Sequence, residues 1–306
     1  MGAEAKPEYL VVAGPTAVGK SAIALEVAEE LGGEIVIADS RQVYRGLEVG
    51  TAKPTAEERA RVPHHLLDVV DLGERYTAAD FAQQASAAIE EIRARGRVPV
   101  VCGGTGLYLA ALAGALDPIE GGADRTEREA ARARVEGIPV AERFAALGRI
   151  DPPSAERLHA ADRQRVDRAL GVWFLTGGPL SSRRAGGTHP RPHVSVRLER
   201  PRAELAERID RRLESMLQAG LEGEVRALWE AGWTPADPGL DTIGYQEWWP
   251  HFEGERPREE AIDTIRAATR QYAKRQTTWF RNQGAYRAVP ANGAGQAITD
   301  LWRRTR

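Results

Sequence analysis

The chain has 306 residues, with 42 Lys+Arg against 44 Asp+Glu and a formal net charge of -2. Its 42% hydrophobic and 28% charged residues are those of a globular chain long enough for an α/β core plus an insertion, so a nucleic-acid site has to be a local patch. Met1–Tyr9 has no apolar signal-peptide core, no apolar run reaches membrane-spanning length, and a single cysteine, Cys102, excludes an intramolecular disulfide and fits a reducing compartment, the cytoplasm.

An apolar run, Tyr9 to Ala13, has the length of one buried strand. It leads into Gly14-Pro15-Thr16-Ala17-Val18-Gly19-Lys20-Ser21, which fits the phosphate-cradling pattern G-x-x-x-x-G-K-[ST] at every fixed position. Ala22 to Leu31 then has helical periodicity and stops at Gly32-Gly33. Strand, glycine loop and helix are the context the pattern needs. Backbone N–H groups and the helix N-terminus attract an anion, Lys20 adds a full charge, and the Ser21 hydroxyl reaches a Mg²⁺ bridging phosphate oxygens. The loop itself does not say which phosphate compound binds.

Glu34 to Ala38 reads as a second strand ending in Asp39-Ser40-Arg41-Gln42. Ligands of open α/β sheets sit beyond the carboxyl ends of strands, which places Asp39 beside the phosphate loop. A turn or N-cap aspartate fits the same position. Gly46 to Arg61 reads as a loop and short helix with Thr51, Lys53 and Thr55 exposed, and His64 to Val69 as a short third strand. The adjacent histidines lack a ligand set at zinc spacing and read as structural. Thr77 caps a helix running to about Arg95. Val98 to Cys102 is a central apolar strand with a buried, inert thiol. It ends in Gly103-Gly104-Thr105, where many phosphate-loop ATPases carry a Walker-B aspartate; Asp68 is the remaining candidate for that role.

From Arg125 to about Gly178 the pattern is helical, between a Pro/Gly-rich break at Asp117–Gly122 and a loop at Gly186–Pro192. The domain organisation expected is a core of residues 1–116 and 193–306 with a mobile helical insertion at 117–192. The fold class is α/β, a parallel sheet of the P-loop nucleoside-triphosphatase type with a helical C-terminal region. His193 to Leu198 reads as the last core strand, and Arg202 to Leu217 as a helix. Trp248 and Trp249 read as core or hinge packing. A long helix from about Glu259 to Asn282 carries Arg266, Arg270 and Lys274 at intervals of four, with Arg281 further on. From Thr264 to Arg287 there are six basic residues and no acidic one, the footprint of a phosphate backbone or else a solvated face paired with acids elsewhere.

Taken in order, these stretches resemble the tRNA dimethylallyltransferases, also called tRNA isopentenyltransferases, over nearly the whole chain. The landmarks are GPTAVGKS at Gly14–Ser21, ADSRQVY at Ala38–Tyr44, GTAKP at Gly50–Pro54 and HHLLD at His64–Asp68. GGTGLY at Gly103–Tyr108, DRQRVDRAL at Asp162–Leu170, IGYQE at Ile243–Glu247 and RQYAKRQTTWFR at Arg270–Arg281 complete them.

The resemblance implies transfer of a dimethylallyl group from dimethylallyl diphosphate to N6 of the adenosine 3′-adjacent to the anticodon in tRNA. It implies that the phosphate loop holds the donor diphosphate, with Mg²⁺ as cofactor and Ser21 as its protein ligand. Asp39 becomes the general base, and Thr105 and Arg128 line the channel where base and donor meet. Asp39, Ser40, Arg41, Gln42, Arg163, Gln164, Arg165, Val166 and Asp167 are implied to touch the tRNA, as are Thr105 and Arg128. Arg270, Lys274 and Arg281 would grip the anticodon stem through its phosphates. The partners implied are the tRNA anticodon stem-loop and the prenyl donor, with no membrane and a monomeric chain. Two other readings stay open: an ATP-dependent small-molecule phosphotransferase with a helical lid, and a non-catalytic tRNA-binding protein switched by a nucleotide.

Overall fold

Tyr9–Ala13 is apolar at every position and buried along its length. A strand apolar on both faces needs cover on both, the condition of a parallel sheet between helical layers. The computed structural model describes residues 6–114, 123, 125–182, 191–283 and 285–306 and has that arrangement. Strands β1 to β6 are Tyr9–Ala13, Gly33–Ala38, His64–His65, Val98–Gly103, His193–Glu199 and Arg287–Pro290. They stand in the order β3-β2-β4-β1-β5-β6, and each neighbouring pair is parallel. β1 is central, between β4 and β5, so the loop that leaves it opens at the middle of the sheet's carboxyl edge.

In chain order the helices of the first part are α1 (Lys20–Leu31), α2 (Ala56–Arg61), α3 (Ala78–Ala94) and α4 (Gly106–Leu112). Those of the insertion are α5 (Arg125–Glu136), α6 (Val140–Ile150), α7 (Pro152–Arg157) and α8 (Arg163–Thr176). Then follow α9 (Arg202–Gln218), α10 (Leu221–Glu230), α11 (Trp249–Phe252), α12 (Arg258–Asn282) and α13 (Ala294–Thr305). Their ends have local causes. Gly32 takes a left-handed φ of 61° and returns its N–H to the carbonyls of Ala28 and Glu29, closing α1. Thr77 and Asp80 cap α3 reciprocally.

Side chains alternate along β1. Leu10 and Val12 pack with α1, α9 and α13 on one face, and Tyr9, Val11 and Ala13 with α3, α4 and Phe280 on the other. A third cluster joins Val43, Tyr44 and Leu47 to Trp248 and Trp249, both of which are core. The chain divides into two compact units, Met1–Leu112 with Arg191–Arg306, and Ala113–Pro190. The second unit has its own core of Leu147, Val166 and Leu170. The breaks expected at Asp117–Gly122 and most of Gly186–Pro192 lie outside the described residues.

Three expectations need correction. β5 is not the last core strand: β6 follows, pairing Val196 with Arg287 through Glu199 with Pro290. It is too short and too exposed to leave an apolar run in the sequence. The third strand stops at His65, because Leu66 and Asp68 adopt left-handed φ values of 64° and 55° that end the extended run. Thr51 and Lys53 are buried rather than exposed, at 7% and 8%. The Lys53 ammonium donates to the Tyr44 carbonyl at 2.7 Å, to Glu48 at 2.8 Å and to Asp68, so its charge is compensated inside the fold.

Candidate active site

The loop from Gly14 to Ser21 joins the carboxyl end of β1 to α1. Gly19, at a left-handed φ of 103°, is the N-cap of α1 and supplies no side-chain cap. The first N–H groups of the helix are thereby left for an anion. The outside of the loop is held by α9 and by Arg200, two residues before it. Arg208 Nε donates to the Ala17 carbonyl at 2.8 Å, and Arg200 Nε donates to the Val18 carbonyl at 2.8 Å. A Cβ at Gly19 would stand 3.6 Å from the Arg208 Nη2 and 3.8 Å from the Arg200 Nη2. Two guanidinium groups therefore stand beside the turn. Burial pushes the Lys20 ammonium below the ordinary lysine range, and the Asp39 carboxylate works against that shift.

Asp39 follows β2, and its Oδ1 accepts the Arg41 N–H at 2.9 Å. That bond is the local turn a short carboxylate makes. Ser40 donates its N–H to Thr105 Oγ1 at 3.0 Å, and the Thr105 N–H donates to the Ala38 carbonyl at 3.3 Å. The β2 and β4 ends are thus tied together beside the phosphate loop. Burial also pushes Arg212, on α9, below its ordinary value, opposed again by Asp39. Tyr272, on α12, is pushed up to about 12, first by burial and then by Asp39, with a hydrogen bond to Thr105 opposing. It remains a donor at neutral pH.

Thr16, Asp39, Arg212 and Tyr272 share one cleft of about 400 Å³. Its apolar wall includes Ile209, Leu213, Met216, Leu221 and Ile265. Anion-binding loop, carboxylate, cations and hydrocarbon wall lie in one space.

Gln276, on α12, is 7% exposed. Its Oε1 accepts the Thr16 N–H at 2.8 Å, and its Nε2 donates to the Gly104 carbonyl at 2.8 Å. The basic stripe on the same helix is partly spent within the protein. Arg270 pairs with Asp210 at 2.5 Å, Arg266 pairs with Asp263 and reaches Asp210 at 3.6 Å, and Arg281 lies 3.9 Å from Glu199. Lys274 is exposed, with no ion pair among the described residues.

Gln42 is buried and donates to the carbonyls of Thr51 at 3.0 Å and Ala52 at 3.1 Å, so its amide holds the 51–52 turn. In the second unit, Arg163, Gln164 and Arg165 are exposed at the start of α8, and Arg128 is half-buried on α5. Asp167 pairs with Arg143 at 2.7 Å. Val166 is 2% exposed and packs in the interior, so an RNA contact by its side chain is corrected to a core role. Asp68 is engaged by Lys53 and Arg59, which removes it from the Walker-B role. His65 bonds Glu34 and His64 bonds the Val62 carbonyl, and no cluster of three His, Cys, Asp or Glu forms a metal site among the described residues. Burial pushes the Cys102 thiol up to about 11, an inert group. No helix among the described residues is long and apolar enough to cross a membrane.

A family model described as IPP transferase matches residues 42–283. The tRNA dimethylallyltransferase of Halorhodospira halophila is 49% identical over 280 residues, covering 90% of this chain and 90% of that protein. The tRNA dimethylallyltransferase 1 of Trichlorobacter lovleyi is 48% identical over 295 residues, covering 94% and 96%. Among solved structures, a tRNA isopentenylpyrophosphate transferase from Bacillus halodurans is similar at 37% identity and TM-score 0.71, covering 97% of this chain and 96% of that one. A eukaryotic dimethylallyltransferase acting on tRNA is similar at 28% identity and TM-score 0.82, covering 98% of this chain and 77% of that one.

Proposed function

The chain belongs to the IPP transferase family, and on that premise we propose that it moves a dimethylallyl group from dimethylallyl diphosphate to a tRNA. The acceptor is N6 of the adenosine 3′-adjacent to the anticodon, and the products are N6-dimethylallyladenosine and diphosphate. The observation that carries this reading is the shared cleft: Thr16 of the phosphate loop, the Asp39 carboxylate and an apolar wall in about 400 Å³. A diphosphate ester of a short branched hydrocarbon needs those surfaces together.

In the reaction the C–O bond to diphosphate breaks and its electron pair leaves with the diphosphate. The C–N6 bond forms, and the N6 proton passes to Asp39. Negative charge concentrates on the leaving group, so Lys20, the α1 N-terminus and Arg212 stabilise the transition state more than the ground state. The adenine amino group is a weak nucleophile, which makes a carboxylate acceptor for its proton worth having. The base has to be splayed from its stack to reach the cleft. The apolar wall sequesters the hydrocarbon and keeps water from the reacting carbon.

Ser21 is an exposed hydroxyl in the first turn of α1 and is the residue that would hold a Mg²⁺ beside the donor diphosphate. When bound, it would supply charge neutralisation on the leaving diphosphate. Arg163, Arg165 and Lys274 are exposed cations for the RNA backbone. Competition at equilibrium tests the donor assignment. Inorganic diphosphate should displace dimethylallyl diphosphate, and ATP at equal concentration should not. Displacement by ATP would favour the phosphotransferase alternative.

A further inference from the structure

Gln276 has a role that its place on a basic helix does not suggest. Its two bonds join the phosphate loop, at Thr16, to the turn after β4, at Gly104, across 260 and 172 positions of sequence. The next residue, Thr105, accepts the N–H of Ser40, which follows Asp39. A continuous path of hydrogen bonds and adjacent residues therefore runs from the donor loop to the carboxylate. Only a primary amide completes it. The Thr16 N–H requires an acceptor and the Gly104 carbonyl requires a donor, and glutamine presents one of each at fixed separation. Glutamate has no donor for Gly104, and lysine or arginine has no acceptor for Thr16. Space is close at the same point: a Cβ on residue 104 would stand 2.5 Å from Gln276 Nε2 and displace the amide from its bond.

We propose that Gln276 is a positioning residue for prenyl transfer, fixing the phosphate loop and the Asp39–Thr105 pair in one frame. This rests on the reaction proposed above. Its consequence is that the distance between leaving group and base is set from α12, and a loosened frame costs rate where donor and acceptor must meet in line.

Two variants test it. Gln276→Met keeps the length and removes both bonds. Gln276→Glu keeps the acceptor, removes the donor and adds a negative charge near the diphosphate. At saturating substrates, single-turnover transfer should fall about 10²-fold in both, the cost of roughly 1 Å of misplacement. tRNA affinity should stay near that of the parent protein, the melting temperature should fall by a few degrees as the two buried partners lose their bonds, and the donor KM should rise more in Gln276→Glu. The clasp also has a readout independent of transfer. The Thr16 amide should exchange slowly with solvent deuterium in the parent protein and fast in Gln276→Met. Unchanged transfer in both variants would overturn the proposal, as would a loss of rate that merely tracks loss of folded protein. Absence of transfer in the parent protein would instead refute the reaction, while Thr16 exchange still judged the clasp.

Discussion

Asp39 is half-buried, hydrogen-bonded to its own turn through Oδ1, and close enough to Lys20, Arg212 and Tyr272 to act on all three. A cap or turn aspartate accounts for the first contact and not for the others. Asp39→Asn keeps size and one acceptor while removing the base. The chemical step should slow by roughly 10²–10⁴, with donor and tRNA binding retained. Excess Mg²⁺ that restored the rate in single-turnover assays would make Asp39 a metal ligand instead.

Lys20 gives a pH dependence. Burial favours its neutral form, so it loses its proton at lower pH than a free lysine, while a bound diphosphate favours the charged form. Donor affinity should therefore fall as pH rises through the depressed value, with proton uptake on binding above it. Lys20→Arg should move that fall to higher pH, because arginine keeps its charge. A donor KM that stays flat to about pH 10 in the parent protein would contradict this.

At the scale of elements, α9 and α12 do more than cover the sheet. α9 brings Arg208 and Arg212 to the phosphate loop, and α12 brings Tyr272 and Gln276. The glycine loop and Asp39 are legible in sequence because their meaning is local: a strand, a motif, a helix. The arginines of α9 are not, since one arginine among many carries no message until the chain folds back on the loop. Gln276 and Tyr272 lie inside a motif whose visible feature is its charge, and their own roles depend on loops distant in sequence. Lys53 reads as exposed for the same reason, because a polar neighbourhood in sequence does not reveal the carboxylates that compensate a buried ammonium.

The basic stripe itself divides. Asp210 on α9 already neutralises Arg270, whereas Lys274 is exposed. Lys274→Ala should lower the slope of log affinity for tRNA against log salt by about one. Arg270→Ala should lower it by less, since its partner is part of the protein. Equal slopes for the two variants in salt titrations would mean that Asp210 yields Arg270 to the RNA.

For the whole molecule, the carboxyl-terminal segment completes the sheet and closes its α1 face. β6 extends the sheet beyond β5, and α13 buries Ile298 and Trp302 at 0% and 2% exposure. Neither element was legible. β6 offers only one buried position in four, and α13 follows a more conspicuous basic helix and begins on a glycine N-cap that makes no side-chain cap. Trp302→Ala should cost about 3–5 kcal/mol in denaturant unfolding, the price of a large cavity. A change below about 1 kcal/mol would show that α13 is an appendage rather than part of the core. The proposed reaction requires a loop able to cradle nucleotide phosphates to hold a prenyl diphosphate for attack by a tRNA base. Unmodified tRNA incubated with the protein, dimethylallyl diphosphate and Mg²⁺, with no nucleotide present, tests it through mass analysis of the digested nucleosides. The expected product is N6-dimethylallyladenosine, confined to the adenosine 3′-adjacent to the anticodon. Unaltered adenosine throughout, or a product that forms only when ATP is added, would contradict it.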